Sequence, residues 1–531
     1  MCFALASCNL FPISSVIVND NTEENQLTSE SDKIVLGDKI YNPFSIDNMM
    51  ARGVDVSDEE SNWYYFRLRQ DEIDARAMEW LVDNFGLMEP VPLDRVITKS
   101  GYIYDDPEID EEKECLWFYF MEPVEEYEKI VNSGFILEME LLDRMHVEDG
   151  ILEAMLDDSS EDNLSRFVTY SSMKTLADSD PARWLFFSKN HYNKPSGKVE
   201  YYDIIEKKIK PLRNVTVEAR QLLIKQRKIR TDSNGKFNIN TTFSSVFLGN
   251  YVNMRVIFDN DKCSLNGYGD FGQYIIDAYY NYGSTHIDNL SNMTIRMNSS
   301  DSRTNGLANI LNAVEDYHQF CFENGITKPE KLKIWINKSN SGSAMTGLFR
   351  YTGVSVAIGY GAYGLFSLIP VVGQVLGIVA GGWVANCAPD IICNFSMPLE
   401  EWNIETLYHE LGHASRFFSL SDGEWRSSIW WEEYTSMGWH WIWDCWLHGK
   451  SATECCYPNN SNPVDLIESW GCFVGPYCMA WKYGKVGNLT KGNEWIAEIE
   501  NSNNKDYCLL GGKCGKFHAP GLHDLIDSVN E

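Results

Sequence analysis

The sequence predicts a multidomain α+β protein, and three observations carry that prediction. Its 531 residues exceed the usual span of one domain. Hydrophobic periods of strand type and helix type follow one another in blocks. A hydrophobic content of 44% is ample for buried cores. The blocks divide into a polar tether over 1–60, a small mixed α+β domain over 61–197, a β-sandwich module over 198–262 and a mainly helical domain over 263–531.

The first block reads as a leader. Residues 1–8 look like the tail of a signal peptide, and Leu5-Ala6-Ser7-Cys8 resembles a bacterial lipobox, whose cysteine is lipidated after cleavage. A basic n-region is missing and the apolar run is short, so the expectation is a start upstream of Met1. Residues 14–33 are polar and acidic, as suits a tether. The expected location is the cell surface or outer membrane, anchored through Cys8.

In the second block, 63–69 and 115–120 have strand composition and 76–85 reads as a helix. This block carries no recognisable chemistry; spacing or partner contact is its expected role. Between 105 and 162 only Lys113, Lys129 and Arg144 interrupt a long series of carboxylates, which reads as a solvated face. The whole chain has a net charge of −31. Such a surface repels phosphate backbones, so nucleic acid is not an expected partner.

The third block turns all-β, with strands over 215–220, 228–231 and 237–241 separated by turn signals. Asp232 and Asn234 suit a tight turn, and Gly235 suits a position with positive φ. The run Thr231-Asp232-Ser233-Asn234-Gly235-Lys236-Phe237 resembles the Thr-Asp-x-x-Gly-x-Phe hairpin of small β-sandwich modules found beside carboxypeptidases and in exported bacterial proteins. Asp232, Asn234 and Gly235 also match the start of a calcium loop, but the bidentate glutamate that such a loop needs is absent at the required distance.

The fourth block opens with a helix over 306–317 and a strand over 332–336. Residues 361–385 contain no charge and are long enough to span a bilayer. Pro370, Gln374 and repeated glycines interrupt them, so a buried or membrane-touching helical hairpin is expected. Seven of the fourteen cysteines follow residue 440, without CxxC or Cys/His finger spacing. They read equally as disulfides of an exported protein or as buried thiols.

His409-Glu410-Leu411-Gly412-His413 is the densest chemistry in the chain. Ten histidines placed at random would produce HExxH on the order of 0.01 times. On a helix, residues i and i+4 share a face, so both imidazoles can reach one Zn²⁺ ion, with Glu410 beside it as general base. The expected helix covers 403–418, with Asn403 as N-cap and Leu407, Leu411, Ala414 and Phe418 as its apolar stripe. Gly412 weakens a helix, and its presence predicts another backbone passing close by.

A third protein ligand is needed. Arg416 and Ser419 stand where a metzincin places Gly and His, which excludes that extended motif. Two glutamates remain. Glu433 lies twenty residues after His413, the thermolysin-like spacing, but Met437 replaces the acid expected one turn later. Glu468 lies fifty-five residues after His413 on a helix announced by Asn462, Pro463 and Asp465.

His-Glu-Leu-Gly-His-Ala-Ser-Arg-Phe, the aromatic run over 424–431 and Glu468-Ser469-Trp470-Gly471 together resemble a group of zinc metallopeptidases among bacterial surface lipoproteins. That resemblance covers roughly 200–480 and implies a zincin-like catalytic domain of gluzincin type, with Glu468 as third ligand. The group has a histidine after Ala-Ser where this chain has Arg416.

The expected function is a zinc-dependent peptidase acting on a peptide or protein substrate, with His409, His413 and Glu468 on the metal and Glu410 as base. Tyr434, His440 and Tyr477 are open candidates for oxyanion stabilisation. Glu405 is either an imidazole-orienting group or a dipole partner. Two rival expectations are a peptide- or glycan-binding surface lipoprotein with a vestigial metal site and a metallohydrolase acting on something other than peptides.

Overall fold

The computed structural model describes residues 33–42, 44–69, 89–101, 117–135, 139–147, 192–221, 225–244, 250–267, 277–337, 344–345, 389–395, 397–420 and 462–484, with positions 73, 77, 80, 81 and 104. Cys8, residues 1–32 of the expected tether, most of the acidic series, 361–385 and Glu433 lie outside these residues, as do Tyr434, His440 and the cysteines at 445, 455, 456, 508 and 514, whereas 33–60, also expected as tether, contains a strand and a helix. The protein is mixed α and β, with several sheets and few helices.

The N-terminal part contains β1 (Val35–Lys39), α1 (Ile46–Ala51), β2 (Trp63–Arg69), β3 (Arg95–Lys99), β4 (Trp117–Pro123), α2 (Val124–Ser133) and β5 (Met139–Met145). β2 lies at the centre of an antiparallel β4-β2-β5 sheet, and β1 pairs with β3. The aromatic run of β2 explains its position: Phe66 stacks on Phe120 at 5.2 Å, and Tyr127 of α2 meets Phe66 edge-on at 4.9 Å. The described positions 77, 80 and 81 of the expected second-block helix are helical.

Next come β6 (Tyr192–Asn193), β7 (Ser196–Asp203), β8 (Lys208–Pro211), β9 (Thr216–Gln221), β10 (Lys225–Arg230), β11 (Lys236–Asn238), β12 (Phe243–Ser244), β13 (Tyr251–Ile257) and β14 (Cys263–Gly267). They are followed by β15 (Tyr279–His286) and β16 (Met293–Met297). One antiparallel sheet has the order β10-β9-β13-β15; a second, mixed sheet has β11-β7-β16, with β16 parallel to β7 and β8 also on β7. β6 pairs with β12. Alternating residues such as Val199, Tyr201, Val217, Val256 and Ile295 enter one hydrophobic cluster. The turn before β11 follows its expected chemistry: Gly235 has φ 71°, and Asp232 Oδ1 accepts the N–H groups of Asn234 and Lys236 at 2.8 Å each.

The same cluster continues into α3 (Ser302–Asn324), β17 (Leu332–Asn337), β18 (Ala344–Met345), β19 (Ile391–Asn394), α4 (Glu401–Ser419) and α5 (Asn462–Gly484). β14, β17 and β19 run parallel, and β18 closes the sheet as an antiparallel edge in the order β14-β17-β19-β18. The expectation of a mainly helical C-terminal domain over 263–531 is therefore not confirmed among the described residues, where six strands accompany three helices. Short strands buried on both faces, such as Ile-Ile-Cys-Asn of β19, show no alternation for a sequence reading to detect.

α3 is buried on nearly every side and carries a polar ladder at 305, 309, 312 and 316. Asn305 Oδ1 accepts the Tyr202 N–H at 2.9 Å, and Asn309 both accepts from Ile204 N–H and donates to the Tyr202 carbonyl. Asn312 donates to the Tyr201 hydroxyl at 2.8 Å. Asp316, 2% exposed, receives Arg213 and Lys482, each at 2.6 Å. The ladder thus ties α3 to β7 and to the end of α5, and its buried polar groups have partners.

Candidate metal centre

α4 begins three residues earlier than the sequence reading places it. Glu400 is the N-cap, and Asn403 acts from inside the first turn, where its Oδ1 accepts the Glu400 N–H at 2.7 Å. Tyr408, Leu411 and Ala414 bury one side of α4 against the core. Tyr317 of α3 fixes that side: its ring stacks on Tyr408, and its hydroxyl meets Ser415 Oγ at 2.7 Å.

The opposite requirement, bringing both histidines to one point, is met by helical spacing. His409 Nε2 and His413 Nε2 are 2.9 Å apart, and each residue is 4% exposed. Zinc takes imidazole nitrogens at about 2.0–2.1 Å, so two nitrogens this close lie within reach of a single ion. Glu410, between them in sequence, is fully buried.

α5 crosses α4 at this pair, and glycines make the crossing possible. A Cβ on Gly471 would lie 2.7 Å from His409 Cε1, 2.8 Å from His409 Nε2 and 2.8 Å from His413 Cε1. A Cβ on Gly412 would meet Val474 at 3.1 Å and the Gly471 Cα at 3.6 Å, which is the close backbone expected at Gly412. One on Gly475 would lie 3.1 Å from the Glu405 carbonyl. The Trp470 indole N–H donates to the Gly412 carbonyl at 2.9 Å.

Residues 468, 471, 475, 478 and 482 follow the 3-4-3-4 spacing of one helical seam. Gly471 and Gly475 on that seam meet α4, and Lys482 reaches Asp316. Glu468 therefore occupies the seam one turn before Gly471, while its side chain is outside those described. The donor set fits a metal as far as it is described: two buried imidazole nitrogens converge, and a cradle beside them admits glycine alone. Among the described side chains, no group of three His, Cys, Asp or Glu residues gathers to hold an ion.

Tyr477 is drawn elsewhere, donating to Asn324 Oδ1 at 3.4 Å and stacking on Phe473. Cys478 is a buried free thiol, and burial pushes it up. Sequence reading missed Gly475 and the Arg213-Asp316-Lys482 group; the small-residue spacing of Gly471 and Gly475 was the available signal for the first, and nothing local marked the second. No helix among the described residues is long and apolar enough to cross a membrane. The chain matches no protein-family model, no curated protein and no solved structure.

Proposed function

We propose that this protein is a zinc-dependent peptidase of zincin-like type, held at a cell surface through Cys8. The observation that carries the reading is the convergence of the His409 and His413 Nε2 atoms, 2.9 Å apart, on the helix that bears Glu410. His409 and His413 would hold the ion, with Glu468 as the third ligand from the facing seam of α5. Bound there, Zn²⁺ supplies an acidified water and a Lewis acid for the scissile carbonyl. Glu410 would serve as the general base for the attacking water and return the proton to the leaving amine. Its burial keeps the carboxylate out of bulk solvent, where proton transfer would be less directed.

Cleavage of a peptide library by the purified protein, with and without chelator, tests the reading. Chelator-sensitive cleavage is expected, and Glu410→Gln should keep its zinc while losing about 10²–10⁴ in turnover. Chelator-insensitive cleavage would sink the metal mechanism. Zinc binding without any cleavage would favour the binding lipoprotein, and hydrolysis confined to other bonds would favour the non-peptide enzyme.

A further inference from the structure

The crossing of α4 and α5 holds more than packing. Trp470 stands immediately before Gly471, and its indole N–H reaches the carbonyl of Gly412, the residue immediately before His413. The bond joins the two helices beside both imidazoles. At the far end of the seam, Lys482 is held by Asp316. Between these ties, Gly471 and Gly475 let the backbones approach until a Cβ at 471 would collide with the imidazoles and one at 475 would crowd the Glu405 carbonyl.

We propose that Trp470 is a positioning residue for the metal site, setting the register at which α5 presents position 468 to the histidine pair; this rests on the zinc reading above. The geometry explains why register matters. One residue of slip moves a helix by about 1.5 Å along its axis and turns it by about 100°. Position 468 would then leave the seam, and a residue without a carboxylate would replace it: Ile467 on one side, Ser469 on the other. The glycines already resist a full slip, because Trp470 or Cys472 would then meet the cradle that fits only glycine; a directional hydrogen bond to a single carbonyl fixes the register more finely.

Trp470→Phe keeps the bulk and removes the donor, and the readout is zinc affinity of the full chain by competition with a chromophoric chelator. Trp470→Phe should bind zinc about 10- to 100-fold more weakly, the usual effect of losing a group that orients a ligand. In a Glu468→Ala background the same change should add little, because its effect passes through position 468. Cobalt substitution gives a second readout: the visible band of the Co²⁺ form should shift in Trp470→Phe, which a purely structural loss would leave in place. Should Trp470→Phe fail to fold, Gly475→Ala tests the same register by wedging a methyl against the Glu405 carbonyl, and it should also weaken zinc. Unchanged zinc affinity in the folded variant, or an equal loss with and without Glu468, overturns the positioning role while leaving the zinc reading intact. A wild-type chain that binds no zinc overturns both.

Discussion

Replacing Gly471 with alanine adds one methyl at the tightest point of the candidate centre. Its carbon would lie 2.7 Å from His409 Cε1, 2.8 Å from His409 Nε2 and 2.8 Å from His413 Cε1. Non-bonded carbons rest at about 3.5–4.0 Å, so the overlaps approach roughly 1 Å. Overpacking a well-filled core costs about 1–3 kcal/mol. In the metal-free protein the rings can turn and relieve part of that cost. Two rings fixed on one ion cannot, so the penalty appears in affinity. At about 1.4 kcal/mol per tenfold, zinc binding should weaken by about 5- to 140-fold. Chelator competition measures this, with urea unfolding of the apo protein run alongside. Zinc affinity within about twofold of wild type, together with an unchanged unfolding midpoint, would refute the close approach of α5 to the histidines.

Three further predictions concern the frame around the site. Burial, reinforced by Lys262 and Lys328, lowers His318 from 6.5 to about 4. The folded protein therefore prefers the neutral imidazole: stability is full above the unfolded value and declines as pH falls from 6.5 toward 4. Urea unfolding at the two ends of that window should show a smaller decline for His318→Gln than for wild type. Burial pushes the Glu89 carboxyl up, but the Arg220 and Arg255 guanidiniums override it and hold it at about 2 instead of 4.5. That difference contributes about 3 kcal/mol. It is present above the unfolded value and lost as pH falls through the folded one, so Glu89→Gln should lose a similar amount at neutral pH and flatten the acid limb of the unfolding profile. Asp316→Asn leaves Arg213 and Lys482 facing each other without their counter-ion and should destabilise by about 3–5 kcal/mol in denaturant titration. Adding Lys482→Met should recover part of that loss.

Much of the centre was legible in the chain because its chemistry is local. His409 and His413 needed only the 3.6-residue period, and Gly412 signalled a nearby backbone through its poor helix propensity. β2 and the Asp232 turn were equally plain, since aromatic strand composition and a positive-φ glycine are local signals as well. What escaped depends on distance. The parallel strands β14 and β19 are buried on both faces and lack a period, and the Asn403 position was misread because capping from inside the first turn uses the same residue types as capping from outside. The Trp470 bond to Gly412 joins residues fifty-eight apart, and no spacing rule specifies such a contact.

The polar ladder of α3 has a consequence for where the chain can be divided. Asn305, Asn309 and Asn312 find their partners on Tyr201, Tyr202 and Ile204, and Asp316 finds one in Arg213, all from the β-rich stretch that precedes the centre. A fragment starting at 263 would lose these partners together with the apolar strand residues that cover α3, leaving that face to solvent. A cut here is expected to leave a destabilised remnant, since the β layer and the helices around His409 share one core and a join sealed by asparagines.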